Sequence, residues 1–512
     1  MITSRPLNIE PVRVFEIFRD EPHVFFLDSS QKNADRGRYS FIGFAPFDVY
    51  RAKDVRSLDA LQKKFNRYKN AISRTTKTPL PAGIVGFISY DYGVRQENIL
   101  RRSSVQDNET PDVYFGFYDT VITVDHYEKR LIISSTGLPA KDVKRQKERA
   151  RKKIAYIEQK LKAGVSRRSL YEYNGAFQNH FKSSFSKNAY LSAVNKALAY
   201  IAKGDIYQVN LSQQFEYDVA GFPVDKVKVY KKLRDLSPSS FSAYLDAGAQ
   251  TVMSSSPERF LKLEGRKVQT RPMKGTRPRG INKKQDAQYL KEIKESPKEK
   301  AELLMITDLL RNDLGRVCEY GTVSVKTMRT IEKYKTVYQA TSTVEGMLRK
   351  DHDAFDLLEA CLPGGSITGC PKIRSMQIIE EVEPVRRGIY TGVMGYINFN
   401  GDMDFNVLIR TLLSDQQTIL FHVGSGIVAD SQPEAEYIET LVKAKAIQDC
   451  LKETFNQPVG PQYTIFHDGQ YVKKHEAFIN TLTPGIVRAP GVFETIAVRN
   501  GRLIALPLHF ER

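Results

Sequence analysis

Apolar and polar positions alternate in short runs over the first 140 residues: His23 to Leu27, Arg38 to Gly43, Gly83 to Tyr90, Val113 to Phe117, Val121 to Asp125 and Arg130 to Ser134. Such runs, broken by turn residues, predict β-strands. The period changes at Asn188 to Lys203, where Tyr190, Val194, Ala197, Leu198 and Ile201 share one helical face and Gly204 suits a C-terminal cap. Alternation returns in GDIYQVNLSQQF, with Tyr207, Val209 and Leu211 on one side and Gln208, Asn210, Ser212 and Gln214 on the other. Two further strands, Arg259 to Leu263 and Lys267 to Thr270, flank Glu264-Gly265-Arg266 and predict a β-hairpin.

Two later helices open on capping signals. Ser296-Pro297-Lys298-Glu299 reads as a capping box with proline at the first helical position. Its helix carries Ala301, Leu304, Met305, Ile306, Leu309 and Leu310 as an apolar stripe, and Glu302 lies on the side of Met305, Ile306 and Leu309. A carboxylate on a buried face is costly unless paired or metal-bound. The second helix starts at Ser431, with a Ser-x-x-Glu box ending at Glu434. Glu436 and Glu439 share a face and Lys443 follows four residues after Glu439, a spacing that equally suits a solvated Glu–Lys face. Lys141 to Arg168 is strongly basic and reads as a solvated helical connector.

Strands and helices in this mixture predict an α+β chain. Its segments are a β-rich part (1–140), a basic connector (141–180), a larger α+β part (181–455) and a distinct last stretch (463–512). At 512 residues, with 41% hydrophobic and 27% charged positions, a sizeable core is available. The net charge of +18 suits nucleic acid, a membrane surface or an acidic small molecule. No RNA-binding signature or zinc-finger spacing accompanies the basic residues, which argues against nucleic acid. The four cysteines are scattered without a CxxC pair, which argues against a disulfide framework or zinc site. The first residues carry charges where a signal peptide needs an apolar core, and no run is long enough to span a bilayer, so a cytoplasmic protein is expected.

The hairpin brings the chemistry into view. Ser256-Pro257-Glu258 precedes it and Pro272-Met273-Lys274-Gly275-Thr276 follows it, so pairing places a carboxylate and an amine at one end of a rigid scaffold. Such a pair can supply a general acid and a nucleophile, with Gly275 allowing close backbone approach; an ordinary cross-strand salt bridge gives the same spacing. Leu362 to Lys372 (LPGGSITGCPK) is a glycine-rich loop opening a helix. Cys370-Pro371 stands where a nucleotide P-loop needs Lys-Ser/Thr, which leaves a possible anion site at the helix start but no P-loop.

SSPER followed by RPMKGTRPRG resembles the signature of the chorismate-utilising enzymes, specifically the aminodeoxychorismate synthase component I branch. The anthranilate synthase branch has alanine where Lys274 stands. GDIYQVNLSQQF, SPKEKAELLMITDLLRNDLGRV, LPGGSITGCPK, RGIYTGVMGYI, FNVLIRTL and GSGIVADSQPEAEYIET extend the resemblance over about Phe25 to Phe455. It implies a large α+β fold with two β-rich halves around a central cleft, and conversion of chorismate and ammonia to 4-amino-4-deoxychorismate. By the same resemblance Lys274 is the nucleophile and Glu258 the acid, and Glu302 and Glu439, with Glu436 close by, hold Mg2+. Substrate contacts are implied for Gln208, Gly275, Thr276, Tyr390, Arg410, Gly424, Gly426 and Lys443.

Four positions depart from patterns found in relatives. Isochorismate synthases carry a water-activating lysine at Gln208, and an amide cannot act as that base, which disfavours ring hydration. Gln339 replaces a histidine found in many relatives, and Leu303 stands where asparagine is usual. Leu27-Asp28-Ser29 matches the Leu-Glu-Ser of the anthranilate synthase tryptophan pocket imperfectly, so feedback regulation does not carry over. No glutaminase motif is present, which implies a separate glutamine amidotransferase subunit as ammonia source. Anthranilate synthase component I and a non-catalytic chorismate-binding subunit are the alternatives. Tyr463 to Arg512 resembles the opening of aminodeoxychorismate lyase but includes no Schiff-base lysine segment, so neither pyridoxal phosphate nor lyase activity is expected. Its apolar residues Ile479, Leu482, Val492, Phe493 and Ile496 are expected to be partly exposed.

Overall fold

A computed structural model describes residues 1–31, 37–72, 78–100, 110–165, 181–219, 224–333, 337–415 and 417–455, with short strands between 464 and 503. Two sheets, of twelve and ten strands, dominate it. Chain order and sheet order differ. Phe25–Asp28 pairs with Phe241–Asp246 in the larger sheet, and Gly83–Ile88 pairs with Val393–Asn398 in the smaller. Strands from 1–140 thus complete sheets built from 181–455, and contacts gather Met1–Leu170 and Gln178–Thr454 into one compact unit.

Strand alternation explains the layering. In Gly83–Ile88, Val85 and Phe87 join a core shared with Phe25, Phe41, Ala243 and Leu245 of the other sheet. Ile84 and Ile88 point the opposite way, into a core with the helical residues Leu58, Leu61, Leu357 and Leu358. Each face of the strand therefore has its own apolar partner, which is why the run GIVGFI is buried throughout. The outer face of the larger sheet is covered by helices Lys187–Ala202 and Lys372–Val382. There Tyr190, Val194 and Ala197 meet Val209, Leu211, Met376 and Ile427. Tyr207 departs from the expected alternation and is 71% exposed. It precedes the strand Gln208–Asp218, and its N–H bonds to the Cys370 carbonyl at 2.7 Å.

The hairpin forms as expected, from Arg259–Glu264 and Lys267–Thr270. Ser296 caps the helix Pro297–Gly315 through the Glu299 N–H, but Glu299 turns to Arg277 at 2.7 Å and does not close the box. The apolar stripe is also rotated from the expected one. Leu303, Ile306, Thr307, Leu310 and Leu314 are buried, Ala301 is exposed and Leu304 is 55% exposed. Leu303 packs against Tyr338 and Ala340 of the adjoining strand Val337–Met347, and this contact sets the rotation. Glu302 is left at the border of the buried face. At the helix Pro433–Phe455, Ser431 accepts from the Val428 N–H at 3.1 Å and donates to Glu436 at 2.6 Å, so its hydroxyl serves Glu436 and not a box with Glu434.

The basic stretch forms the helix Val143–Ala163, capped by Asp142. It is anchored through Ala150, Ile154 and Ile157, with Lys153 reaching the buried Asp119 at 3.2 Å. Among the described residues no helix is long and apolar enough to cross a membrane. The last stretch contributes two short hairpins, Thr464–His467 with Gln470–Lys473 and Val498–Arg499 with Arg502–Leu503. Ile479, Leu482, Val492, Phe493 and Ile496 lie outside the described residues.

Candidate active site

Glu258 sits just before the hairpin, where pairing between Arg259–Glu264 and Met403–Val407 is interrupted by a register shift. The Ser366 hydroxyl, from the glycine-rich loop, donates to its Oε1 at 2.8 Å. Burial raises the Glu258 carboxyl to about 7, against the opposing pull of Ser366 and Lys274. A carboxylic acid that keeps its proton near neutrality is suited to general acid work.

Lys274 lies on Met273–Pro278, which pairs with Val337–Met347 and shifts register between Lys274 and Thr276. Gly275 fills the irregularity at φ 75°, and a Cβ there would lie 2.5 Å from Glu299 Oε2. The bulge re-aims the strand so that Lys274 faces the cleft; Thr276 is exposed on its far side. Burial lowers the Lys274 ammonium, with Lys443 adding to the effect and Glu302, Glu258 and Glu439 opposing it. Among the described residues no ion pair or hydrogen bond holds its Nζ, which lies 3.8 Å from where a Gly426 Cβ would be. The cross-strand salt bridge is therefore not what forms. Acid and amine are each pushed toward neutrality in one cleft.

The cleft floor comes from Gln208–Asp218 and Thr418–Ile427, with Asn210 opposite Gly426 and Ser212 opposite Gly424. Both glycines are needed for space. A Cβ at Gly426 would meet Gln208 Nε2 at 2.7 Å, and one at Gly424 would meet the Tyr390 hydroxyl at 2.9 Å. Gln208 is buried with its Oε1 unpartnered, and it is its Nε2 that faces Gly426. Tyr390 is hydrogen-bonded to the Asn210 side chain and raised to about 12 by burial. It stacks on His422 at 5.0 Å, a ring that burial and Arg387 hold down at about 3 and therefore neutral. Arg410 has φ 50°, and among the described residues no carboxylate pairs with it. Its side chain is exposed, and desolvation lowers its pKa.

At the mouth, burial raises Glu302, with Lys274 and Lys298 opposing and Glu299 and Glu439 adding. Burial pushes Glu439 the same way, but Lys443 and Ser425 outweigh it and its pKa falls. Lys443 pairs with Glu439 at 2.7 Å and donates to the Gly424 carbonyl at 2.9 Å. Glu436 is buried, with one oxygen accepting from Ser431 and the other from Ser425. Among the described residues no three His, Cys, Asp or Glu side chains come close enough to form a metal centre. Glu302 and Glu439 still fit Mg2+, an ion that takes one or two protein carboxylates and completes its shell with substrate oxygens and water. Glu436, its oxygens engaged by serines, stands behind them. Ser366, Ser425 and Asn210 were not singled out for these contacts by sequence reasoning, because each depends on a neighbour more than ten residues away in the chain.

A separate cavity of about 270 Å3 lies away from this chemistry, lined by Leu27, Asp28, Ser29, Arg38, Phe241, Arg259, Tyr396 and Asp404 among others. Its Asp28 is held by Arg234 at 2.5 Å and by the Tyr230 hydroxyl at 3.3 Å.

Residues 22–449 match the family model for chorismate binding enzymes. The chain belongs to that family. It is 37% identical over 439 residues to aminodeoxychorismate synthase component 1 of Bacillus subtilis, covering 82% of this chain and 91% of that one. It is also 36% identical over 459 residues to anthranilate synthase component 1 of Aquifex aeolicus, covering 86% and 92%. Among solved structures, anthranilate synthase component I of Streptococcus pneumoniae superposes with a TM-score of 0.69 at 27% identity, over 82% of this chain and 94% of that one. The menaquinone-specific isochorismate synthase of Escherichia coli shares the fold, with a TM-score of 0.67 at 16% identity over 88% and 94%. The family match ends before the last stretch, so this chorismate-binding enzyme has its cleft within the matched region.

Proposed function

We propose that the chain is an aminodeoxychorismate synthase component that aminates chorismate at C4. Relatives with both activities match at similar identity, so the choice rests on one observation: a desolvated amine at Lys274, without an ion-pair partner among the described residues, sharing the cleft with a Glu258 carboxyl raised to about 7. Lys274 Nζ attacks C2 of the ring. The ring π electrons shift, and the C4 hydroxyl leaves as water with the Glu258 proton. Ammonia then forms a bond to C4, the electrons shift back, the C2–Nζ bond breaks with its electron pair leaving on Lys274 as the neutral amine, and the proton lost from the added nitrogen returns to the Glu258 carboxylate. Burial serves both partners, since it disfavours ammonium on Lys274 and carboxylate on Glu258.

Arg410 and the Tyr390 hydroxyl hold the substrate's carboxylate groups, the guanidinium in a bidentate grip, and Lys443 adds positive charge beside the Gly424 backbone. Bound Mg2+, held by Glu302 and Glu439, would supply a hard positive charge for the ring carboxylate. The unpaired Gln208 acceptor offers no base for water, in keeping with amination and not hydration. The "component 1" in the relatives' names supports a second, ammonia-supplying amidotransferase subunit.

The test is product identity. Purified chain given chorismate, ammonium and Mg2+ should form 4-amino-4-deoxychorismate by liquid chromatography and mass spectrometry. Anthranilate as the sole product, or no turnover, overturns the reading.

A further inference from the structure

The glycine-rich loop does more than shape the cleft. Its short 3-10 turn Gly365–Ile367 places the half-buried Ser366 beside Glu258. The loop is fixed at both ends and in the middle. Lys372 at its close pairs with the buried Asp313 at 2.7 Å and donates to the Cys361 carbonyl at 3.2 Å. Thr368 donates through its hydroxyl to the Gly364 carbonyl at 2.9 Å and accepts through its carbonyl from the Asn210 N–H at 2.8 Å. Arg387, paired with Glu383 at 2.7 Å, donates to the Ile367 carbonyl at 3.0 Å and to the Asn210 carbonyl at 2.6 Å. A side chain on a loop tied down this way is held, not merely nearby.

We propose that Ser366 is a positioning residue for the acid: its hydroxyl, donating to Glu258 Oε1 at 2.8 Å, leaves Oε2 as the oxygen that carries the transferable proton. An oxygen that already accepts a hydrogen bond from a fixed donor is a poor place for a proton, so the acid O–H belongs on the other oxygen. The same contact favours the ionised form of Glu258 and keeps the acid from holding its proton too tightly. The charged group acting on Glu258 is Lys274 from the strand after the hairpin, and Glu302, Glu439 and Lys443 act in turn on Lys274. Among the described residues none of these hydrogen-bonds to the Glu258 carboxyl, so Ser366 is the contact that orients it. The proposal rests on Glu258 being the acid of the amination.

The experiment compares wild type with Ser366→Ala and Ser366→Thr in the full chain. Two readouts are used: the carboxyl titration of Glu258 by 13C NMR, with Glu258→Gln as the assignment control, and the pH profile of chorismate turnover with ammonium. Ser366→Ala should raise the Glu258 pKa and the alkaline limb together by about one pH unit, and lower kcat about tenfold. Ser366→Thr keeps the hydroxyl and should restore both. A Glu258 titration unchanged in Ser366→Ala overturns the proposal. A titration that moves while the alkaline limb stays put overturns instead the assignment of Glu258 as the acid, and that separates the two failures.

Discussion

The cavity around Asp28 and the cleft around Lys274 are both lined by charged side chains, but they differ in how those charges are satisfied. In the cavity Asp28 meets Arg234, Arg259 grips Asp404 with two hydrogen bonds of 3.0 Å, and Lys262 meets Glu264 at 2.6 Å. In the cleft Lys274 has no anionic hydrogen-bond partner among the described residues, and the buried Gln208 Oε1 is unpartnered. Paired charges hold a shape. Charges left unpaired in a desolvated place have shifted proton affinities and unused bonding capacity, which is what chemistry on a charged substrate needs.

The comparison breaks first at Lys274. Lys274→Ala should reduce aminodeoxychorismate formation at least about a thousandfold, because a group that forms a covalent bond has no substitute at alanine. Steady-state rates with ammonium check this, and unchanged turnover would falsify the nucleophile assignment. Glu258→Gln should cost roughly a hundred- to ten-thousandfold in kcat, the range for losing a general acid.

The wild-type pH profile sharpens the same point. Activity should fall as pH rises through about 7, where Glu258 loses its proton. Burial lowers the Lys274 ammonium from the ordinary lysine value, which widens the pH range in which the amine is free to attack. A profile flat through about pH 7 would count against Glu258 as the acid. At the mouth, Glu302→Gln and Glu439→Gln should each raise the Mg2+ concentration for half-maximal turnover more than about tenfold, because a neutral amide is a weaker ligand for a hard cation. Titration with Mg2+ after chelation is the measurement; activity that survives the chelator in the wild type removes the metal from the account.

In the cavity the prediction is inverted. Arg234→Met strands the buried Asp28 and should lower stability by about 3 kcal/mol, read by denaturant unfolding, while turnover at low temperature stays within about twofold of wild type. Loss of turnover without loss of stability would mean that the cavity is coupled to the chemistry. The smallest effect is expected from deleting residues 463–512, which lie beyond the family match and should leave chorismate turnover unchanged.

Local pattern carried much of the architecture. The hairpin, the helix expected over Asn188 to Lys203, the helix opening at Ser296 and the strand after Gly204 were legible because each depends on neighbours two to four residues apart. The resemblance supplied Glu258, Lys274, Glu302, Glu436 and Glu439 as candidate site residues. Spacing alone could not separate them from ordinary surface pairs, since Glu439 and Lys443 do form one at 2.7 Å.

Tertiary structure decided the rest. Which face of the Pro297 helix is buried followed from Tyr338 and Ala340 on a distant strand, not from the helix's own stripe. Whether Ser431 caps a helix or holds Glu436 was settled by the competing acceptor that folding brought to its hydroxyl. Most of all, the protonation of Glu258 and Lys274 depends on removal of water by elements far apart in the chain, among them the loop at Ser366 and the strands Val337–Met347 and Thr418–Ile427. A sequence can name an acid and an amine, but desolvation belongs to the assembled cleft, and desolvation is what makes one hold its proton and the other release it.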